Sequence, residues 1–487
     1  MPITMNQIPA SIRVPGQYIE VDNTRAVRGL PGMQHRILVI GQRLATGNVA
    51  ENVLTKITNA NQAAAAFGIG SMVHQMCEKL RGANDWQEVN VLALDDKAAG
   101  VAATGSILLG GASIKSGTVN LYIGGRRVQA GVTVSDTPAT IAAKIVAAIN
   151  ASAMVSVTAA VNGVDDKQVD LAARHKGEAG NDIDVRLNYY LDEKTPDGLT
   201  ATITAMNGGA GNPDISTAIA AIGEEWFTEI IMPYSDAANL TALETELDSL
   251  FGPLVMRDGM AYCFKSGTHA QLTTFGAGRN SPHVTCLGLK GCPNPPWEVA
   301  AVYGGIAAYY LAIDPAAPLQ TLQLKGILAP QSADKFTLME RNLLLFDGIA
   351  TARENVGILQ IDREITMYQV NVQGAEDPSY LDVTTLATIA YLRWSEATRI
   401  ALRFPRHKLR QNGTPGNNIA TPAKIEDELI ALATEWEAVG LIENLEDFKK
   451  KIVVEIDQGD PNRINVLNPS DIVNQLRIYA SKLEFRV

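Results

Sequence analysis

Residues 229–250 read EIIMPYSDAANLTALETELDSL. The apolar run EIIMP has strand length and ends at Pro233, and Asp236 follows, a residue type that accepts backbone N–H groups at helix starts. Leu240, Leu243, Leu247 and Leu250 then recur at helical spacing, so a strand hands over to a helix with one apolar face. The alternation continues downstream. Residues 260–264 read as the next strand, Thr268 caps a short helix, and 283–289 form a third strand. Pro295-Pro296 opens an apolar helix through Ala300, Tyr303, Ile306, Ala307 and Tyr310. Such alternation implies a parallel, doubly wound sheet.

Upstream, RILVIG at 36–41, a helix capped by Ser71 and running to about Arg81, and a strand at 89–94 repeat the pattern. Gly41 and Gly47 do not make a G-x-G-x-x-G, and no Gly-Lys-Ser/Thr follows, so a nucleotide loop is unsupported. Composition changes near Lys97. From there to about Gly211 there is no Trp or Phe, and Ala, Gly, Val and Thr dominate. Short strands are expected at 119–123, 128–134, 155–161, 168–173, 183–191 and 200–206. One helix interrupts them, capped by Asp136 with Pro138 in its first turn. Gly124-Gly125 reads as a hairpin turn. This is a separate β-rich domain, closed by GGAGNP from Gly208.

The last third returns to α+β. A strand is expected at 365–372, a long helix from about Val383 to Arg403, a second helix from Thr421-Pro422 to near Gly440, and strands at 452–456 and 463–466. From Arg477 onward apolar and charged residues alternate. Leu483, Phe485 and Val487 fall on one face of a strand, and Lys482, Glu484 and Arg486 on the other. This strand is expected either to dock in its own domain or to add to a sheet of another chain. The first two dozen residues, punctuated by Pro2, Pro9, Pro15 and Gly16, read as an extended arm. Its apolar groups Ile8, Ile12, Val14, Tyr18, Ile19 and Val21 would gain by docking.

The 487 residues suffice for three or four folding units. With 46% hydrophobic and 19% charged residues the composition is globular. A net charge of −11 argues against general nucleic-acid binding, and no apolar run approaches the ~20 residues of a membrane span. No signal peptide is visible at the N-terminus. Cys77, Cys263, Cys286 and Cys292 are irregularly spaced and suit buried free thiols. His283, Cys286 and Cys292 lack the second ligand pair of a zinc site.

Catalysis finds little support. Asp236, His269 and Ser266 or Ser281 lie on the α/β segment, but there is no G-x-S-x-G elbow. KSGTHA at 265–270 echoes a subtilase string with Ser266 where that family has its catalytic His. The sharpest charge signal comes later. Arg393, Arg399, Arg403, Arg406, Lys408 and Arg410 surround a single acid, Glu396. An acidic stretch follows, from Glu426 to Asp447. A solvated face explains both; complementary patches between repeated subunits or toward an inner partner are the alternative.

Several strings resemble the tail sheath proteins of Mu-like contractile-tailed phages. They are PYSDAANLTALETEL from Pro233, FGAGRNSPHVT from Phe275, PPWEVAA from Pro295, DPAAPLQTL from Asp314, ERNLLLFDGIAT from Glu340, IDREITMYQ from Ile361, SYLDVTTLATIAYLR from Ser379 and NPSDIVNQLR from Asn468. The resemblance covers most of the chain from about Asp214 and fits the first hundred residues more loosely. It implies an α/β and α+β multidomain fold: a subtilisin-like α/β core domain, a C-terminal α+β sheath domain, an inserted β-rich domain and extended terminal arms. The corresponding boundaries are 1–25 for the N-terminal arm, 26–97 and 211–364 for the core, 98–210 for the insertion, 365–467 for the C-terminal domain and 468–487 for the C-terminal arm.

The implied function is structural and non-enzymatic, with no cofactor and no metal. Subunits would form a helical homopolymer around a tail tube protein, meet baseplate and tail terminator proteins, and contract to drive the tube through the host envelope. Neither nucleic acid nor membrane insertion is implied. The protein would reside in the virion after assembly in the host cytoplasm. The arm strands would carry Ile12, Val14, Tyr18, Ile19 and Val21 at one end and Ile478, Leu483, Phe485 and Val487 at the other. Arg399, Arg403, Arg406, Lys408 and Arg410 are the expected tube-facing groups. The sheath of a non-virion contractile injection system is the alternative within this class, and a hydrolase on the α/β segment the alternative outside it.

Overall fold

Strands that are apolar on both faces need cover on both faces, and the centre of the fold supplies it. The computed structural model describes residues 11, 13–19, 30–411 and 418–486. They divide into a larger unit, 34–391 with 474–487, and a smaller one, 392–473 with the described residues up to Met33.

The larger unit begins with β1 (Arg36–Gln42), β2 (Thr55–Ile57), α1 (Ala60–Phe67), α2 (Met72–Ala83) and β3 (Glu88–Leu94). The insertion follows as β4 (Ala102–Gly111), β5 (Gly117–Ile123), β6 (Arg126–Val132), α3 (Pro138–Asn150), β7 (Val157–Val161), β8 (Gln168–Lys176), β9 (Val185–Leu187) and β10 (Leu199–Asn207). The chain then resumes with α4 (Ser216–Ile222), β11 (Glu229–Ile231), α5 (Ala237–Phe251), β12 (Met260–Ser266), α6 (His269–Ala277) and β13 (Val284–Leu289). α7 (Pro296–Ile313), α8 (Leu338–Phe346), β14 (Ala350–Asn355) and β15 (Ile358–Arg363) complete this body.

Eight strands form one sheet in the order β15-β14-β13-β12-β11-β1-β3-β2. Neighbours from β14 to β3 are parallel, and the edge strands β15 and β2 are antiparallel. β1 is apolar from Ile37 to Gly41, β13 carries Thr285 as its one polar side chain, and both are buried on both faces beyond Arg36, which only a covered sheet allows. α7 is likewise buried nearly all round. It lies so close to β11 that a Cβ at Gly304 would come 2.7 Å from Ile231.

The insertion forms two antiparallel sheets of its own, β10-β4-β8-β7 and β6-β5-β9. Gly124 and Gly125, with φ of +55° and +72°, make the tight turn between β5 and β6. Thr137 rather than Asp136 caps α3; Asp136 instead accepts from the Thr133 backbone and from Lys144. A polar seam fixes this domain to the body. Arg126, at the start of β6, lies 3.0 Å from Glu298 on α7 and 2.5 Å from Glu78 on α2. The Glu298 side chain is fully buried and also meets Lys79 at 3.4 Å and Asn294 at 2.8 Å. Burial works against the Arg126 charge, but Glu298 and Glu78 raise its pKa above the ordinary guanidinium value. Alongside, His175 Nε2 accepts from Met72 N at the start of α2 (3.0 Å) while Nδ1 meets Asp96 (3.1 Å).

The smaller unit is α+β. α9 (Val383–Arg403) enters it and is followed by β16 (Lys408–Leu409), β17 (Ile419–Ala420), α10 (Pro422–Ala438), β18 (Ile442–Glu443), α11 (Leu445–Lys451), β19 (Val453–Ile456), β20 (Ile464–Leu467) and β21 (Asp471–Ile472). Trp436 on α10 is fully buried, and its Nε1 donates to Ser395. Thr421 caps α10 as its side chain predicts.

Three further expectations are corrected. Residues 365–372 are not a strand. Their amides go to single partners, Thr366 N to Leu381 O, Met367 N to Val284 O, and Gln369 N and Val370 N both to the Asn280 side chain, so no ladder forms. The second unit begins at Leu392 and not at Ile365, because 365–391 pack with the larger body. Residues 468–473 are not arm. Asp471–Ile472 pair with β18, and Val473 N donates to Leu441 O.

Candidate assembly surfaces

The C-terminal segment is held at its root and free beyond it. Gln475 donates to Ala316 O (3.1 Å) and to Thr384 Oγ1, and Gln320 donates to Leu476 O (3.4 Å). Arg477 Nη2 lies 2.5 Å from Glu364 and 3.1 Å from Asp382. After Arg477 the chain enters no sheet among the described residues, so the alternating pattern does not dock as a strand in its own domain. Ile478, Leu483 and Phe485 are 80%, 89% and 81% exposed. At the other end Val14, Tyr18 and Ile19 are also exposed, and the Tyr18 hydroxyl donates to Val14 O. Ile12, Val21 and Val487 lie outside the described residues.

A second open surface belongs to the smaller unit. β19 and β20 form a two-stranded antiparallel sheet. Each strand keeps one edge without a partner strand among the described residues, and Val453, Val466 and Leu467 are exposed on it. Isolated two-stranded sheets are marginal in water, and bare edges are pairing templates.

The basic stretch divides in two. Arg399 is largely buried and bonds Glu428 (3.0 Å) and Glu435, both on α10. Burial opposes its charge, yet the hydrogen bonds to Glu435 and Glu428 raise its pKa. Arg403 also reaches Glu428, at 3.1 Å. The acidic stretch therefore meets part of the basic one inside a single chain. Arg406, Lys408 and Arg410 are exposed.

Asp236, His269 and Ser281, named above for catalysis, sit in structural roles, and Ser266 ends β12 paired with Leu289. Asp236 caps α5 and holds Asn212 and Asn239. His269 lies edge-on to Phe336, and Ser281 accepts from His283 N. His283 packs against Phe251. All four cysteines are buried free thiols, and burial pushes Cys77 and Cys292 up to about 12. No helix among the described residues is long and apolar enough to cross a membrane.

Two features escaped the sequence reading. α8 opens with a reciprocal cap in which Thr337 and Glu340 bond each other's backbone, and the spacing T-x-x-E announces it. The β14–β15 hairpin turns at Val356-Gly357, with φ of +52° and +79°. Valine is rare in that conformation, so the usual Asn-Gly or Asp-Gly signal is missing.

The sequence matches the phage tail sheath protein central domain over residues 208–367 and the phage tail sheath C-terminal domain over 375–486. It is 42% identical to the Mu-like prophage FluMu tail sheath protein of Haemophilus influenzae over 489 residues, covering 100% of both chains. Among solved structures, a sheath tail protein of Listeria innocua aligns at 13% identity and TM-score 0.49, covering 92% of this chain and 94% of that one. The contracted sheath complex of an extracellular contractile injection system aligns at 9% identity and TM-score 0.49, covering 98% and 99%. The chain belongs to the phage tail sheath family. It is a structural subunit of a contractile sheath.

Proposed function

We propose that the chain polymerises helically around a tail tube and that its extended ends link adjacent copies. The exposed alternating segment beyond Arg477 carries this reading, because Ile478, Leu483 and Phe485 gain burial only against something outside the subunit's own sheets. The β19–β20 sheet of a neighbouring copy is the proposed acceptor. Its bare edges offer backbone partners, and its exposed valines and leucine offer apolar cover. The N-terminal arm, with Val14, Tyr18 and Ile19 exposed, is the second donor.

In this reading the α/β body is a subtilisin-like scaffold used for contacts and not for hydrolysis. The insertion decorates the outside. Arg406, Lys408 and Arg410 are the proposed tube-facing groups, while Arg399 and Arg403 stabilise the smaller unit itself. Subunits would assemble in the host cytoplasm, with the tube, baseplate and terminator proteins as partners, and the sheath would contract when a new set of intersubunit contacts is more stable than the old. The 42% identical relative is named for a Mu-like prophage, which favours a phage tail over a non-virion injection system.

Deleting residues 478–487 tests the reading. The truncated chain should fold with an unchanged circular dichroism spectrum and form no tubes by electron microscopy. Normal tubes from the truncated chain would overturn the linkage.

A further inference from the structure

We propose that Arg477 is the anchor that sets where the C-terminal arm leaves its own subunit, and thereby the length and register of the strand available to a neighbour. Three observations meet at this residue. Its side chain is 11% exposed although its sequence neighbours Leu476 and Ile478 lie in solvent. Its guanidinium reaches two acids from different places in the body, Glu364 just after β15 (2.5 Å) and Asp382 just before α9 (3.1 Å). Glu364 is fully buried and, besides Arg477, receives only the Leu319 amide (3.2 Å) among the described residues.

Burying a charge pair here is not the cheapest way to fill the space. Glu364 Oε2 and Arg477 Nε are buried without hydrogen-bond partners among the described residues, so the contact is a single point and not a bidentate fork. Apolar residues of similar volume often serve stability as well or better. What a charge pair adds is position, because a lone buried carboxylate accepts no substitute a residue earlier or later in the arm. Gln475 and Gln320 fix the two preceding positions through Ala316, Thr384 and Leu476.

Past the anchor, residues 478–486 span at most about 30 Å as a strand at ~3.3 Å per residue. Slipping a strand by one residue turns its apolar side chains to the opposite face. With Arg477 fixed, Leu483 and Phe485 present one face at a defined distance from the body. The anchor also keeps the arm tethered while subunits move past each other. The register claim rests on the strand-linking reading above; the anchoring claim does not.

Limited trypsin digestion of the unassembled full-length chain, followed by mass spectrometry, tests the anchor. Lys482 is exposed in the same arm and serves as the internal reference. Cleavage after Arg477 should be at least roughly ten-fold slower than after Lys482, because it requires local opening of the buried pair. In a Glu364→Gln/Asp382→Asn chain that gap should shrink to about three-fold or less. Equal rates in the unaltered chain would overturn the anchor whether or not the variant folds, and so would an unchanged ratio in a folded variant. These rates are read before assembly, so their failure leaves the sheath reading intact. Register is tested separately. Inserting one alanine between Arg477 and Ile478 should block tube formation, while inserting two should restore it in part. Tubes of equal yield from both insertions would remove the register claim.

Discussion

Replacing Arg126 with glutamine should loosen the inserted domain from the α/β body and lower the stability of the subunit. The unit charges of Arg126 and Glu298 lie 3.0 Å apart. At an effective dielectric constant of about 20 they attract by roughly 5 kcal/mol. Part of that is returned by the variant, because Arg126 no longer loses its hydration. Part is replaced, because Lys79 remains 3.4 Å from Glu298 and Asn294 remains at 2.8 Å. The Glu78 contact adds little, as that carboxylate is 42% exposed. A net loss of about 2–3 kcal/mol is expected, mainly from leaving a fully buried carboxylate short of its counter-charge. The assay is urea unfolding followed by tryptophan fluorescence, since Trp297 on α7 is the neighbour of Glu298 in sequence and is buried. Arg126→Gln/Glu298→Gln should recover most of the loss, giving a coupling of about 2 kcal/mol in the double-mutant cycle. A single-variant loss under about 0.5 kcal/mol, or strictly additive effects, would refute the argument that this seam is a desolvated charge cluster.

Gly70→Ala should lower the melting temperature sharply. Gly70 has φ of +81°, and a Cβ there would come 1.8 Å from Ala153 O in the insertion. A cost of at least about 2 kcal/mol follows from the clash and the left-handed backbone together, and wild-type stability would mean that this junction is not closely packed. Glu88 predicts a pH dependence. Hydrogen bonds from Lys56 and Asn90, joined by Arg36 and opposed by burial, hold its pKa at about 2 against an ordinary 4.5. Its folded pKa is depressed, so the stability it contributes is complete above about pH 4.5 and is lost as pH falls toward 2. The difference in melting temperature between the native chain and Glu88→Gln should therefore shrink between pH 6 and pH 3; a constant difference would contradict the assignment.

Much of the α/β body can be read from local chemistry. Asp236, Thr268 and Thr421 each cap the helix that their side chains announce. Gly124-Gly125 turns the hairpin its composition calls for. The failures share a cause, because long-range partners decided them. Residues 365–372 look like a strand, yet four successive residues from Glu364 to Met367 are fully buried, and the amides of Thr366 and Met367 go to two unconnected partners, Leu381 O and Val284 O, instead of along one ladder. Arg399 looks like a surface charge until α10 folds back with Glu428 and Glu435, acids 29 and 36 positions away. Arg477 reads as one more polar residue of an alternating strand. Its acids at 364 and 382 lie 113 and 95 positions earlier, so no local pattern marks it as the root of the arm. The arm itself was legible as alternation. What alternation cannot reveal is whose sheet it completes.

Site-directed disulfides in assembled particles address that question most directly. Single cysteines are placed in turn at Tyr479, Ser481, Leu483 and Phe485, and the one or two that the register sets opposite β20 should cross-link under mild oxidation to a cysteine at Leu467, giving a ladder of dimers, trimers and longer oligomers on a denaturing gel. Well-formed tubes that yield only monomers at every position, or bonds confined within one chain, would contradict the account.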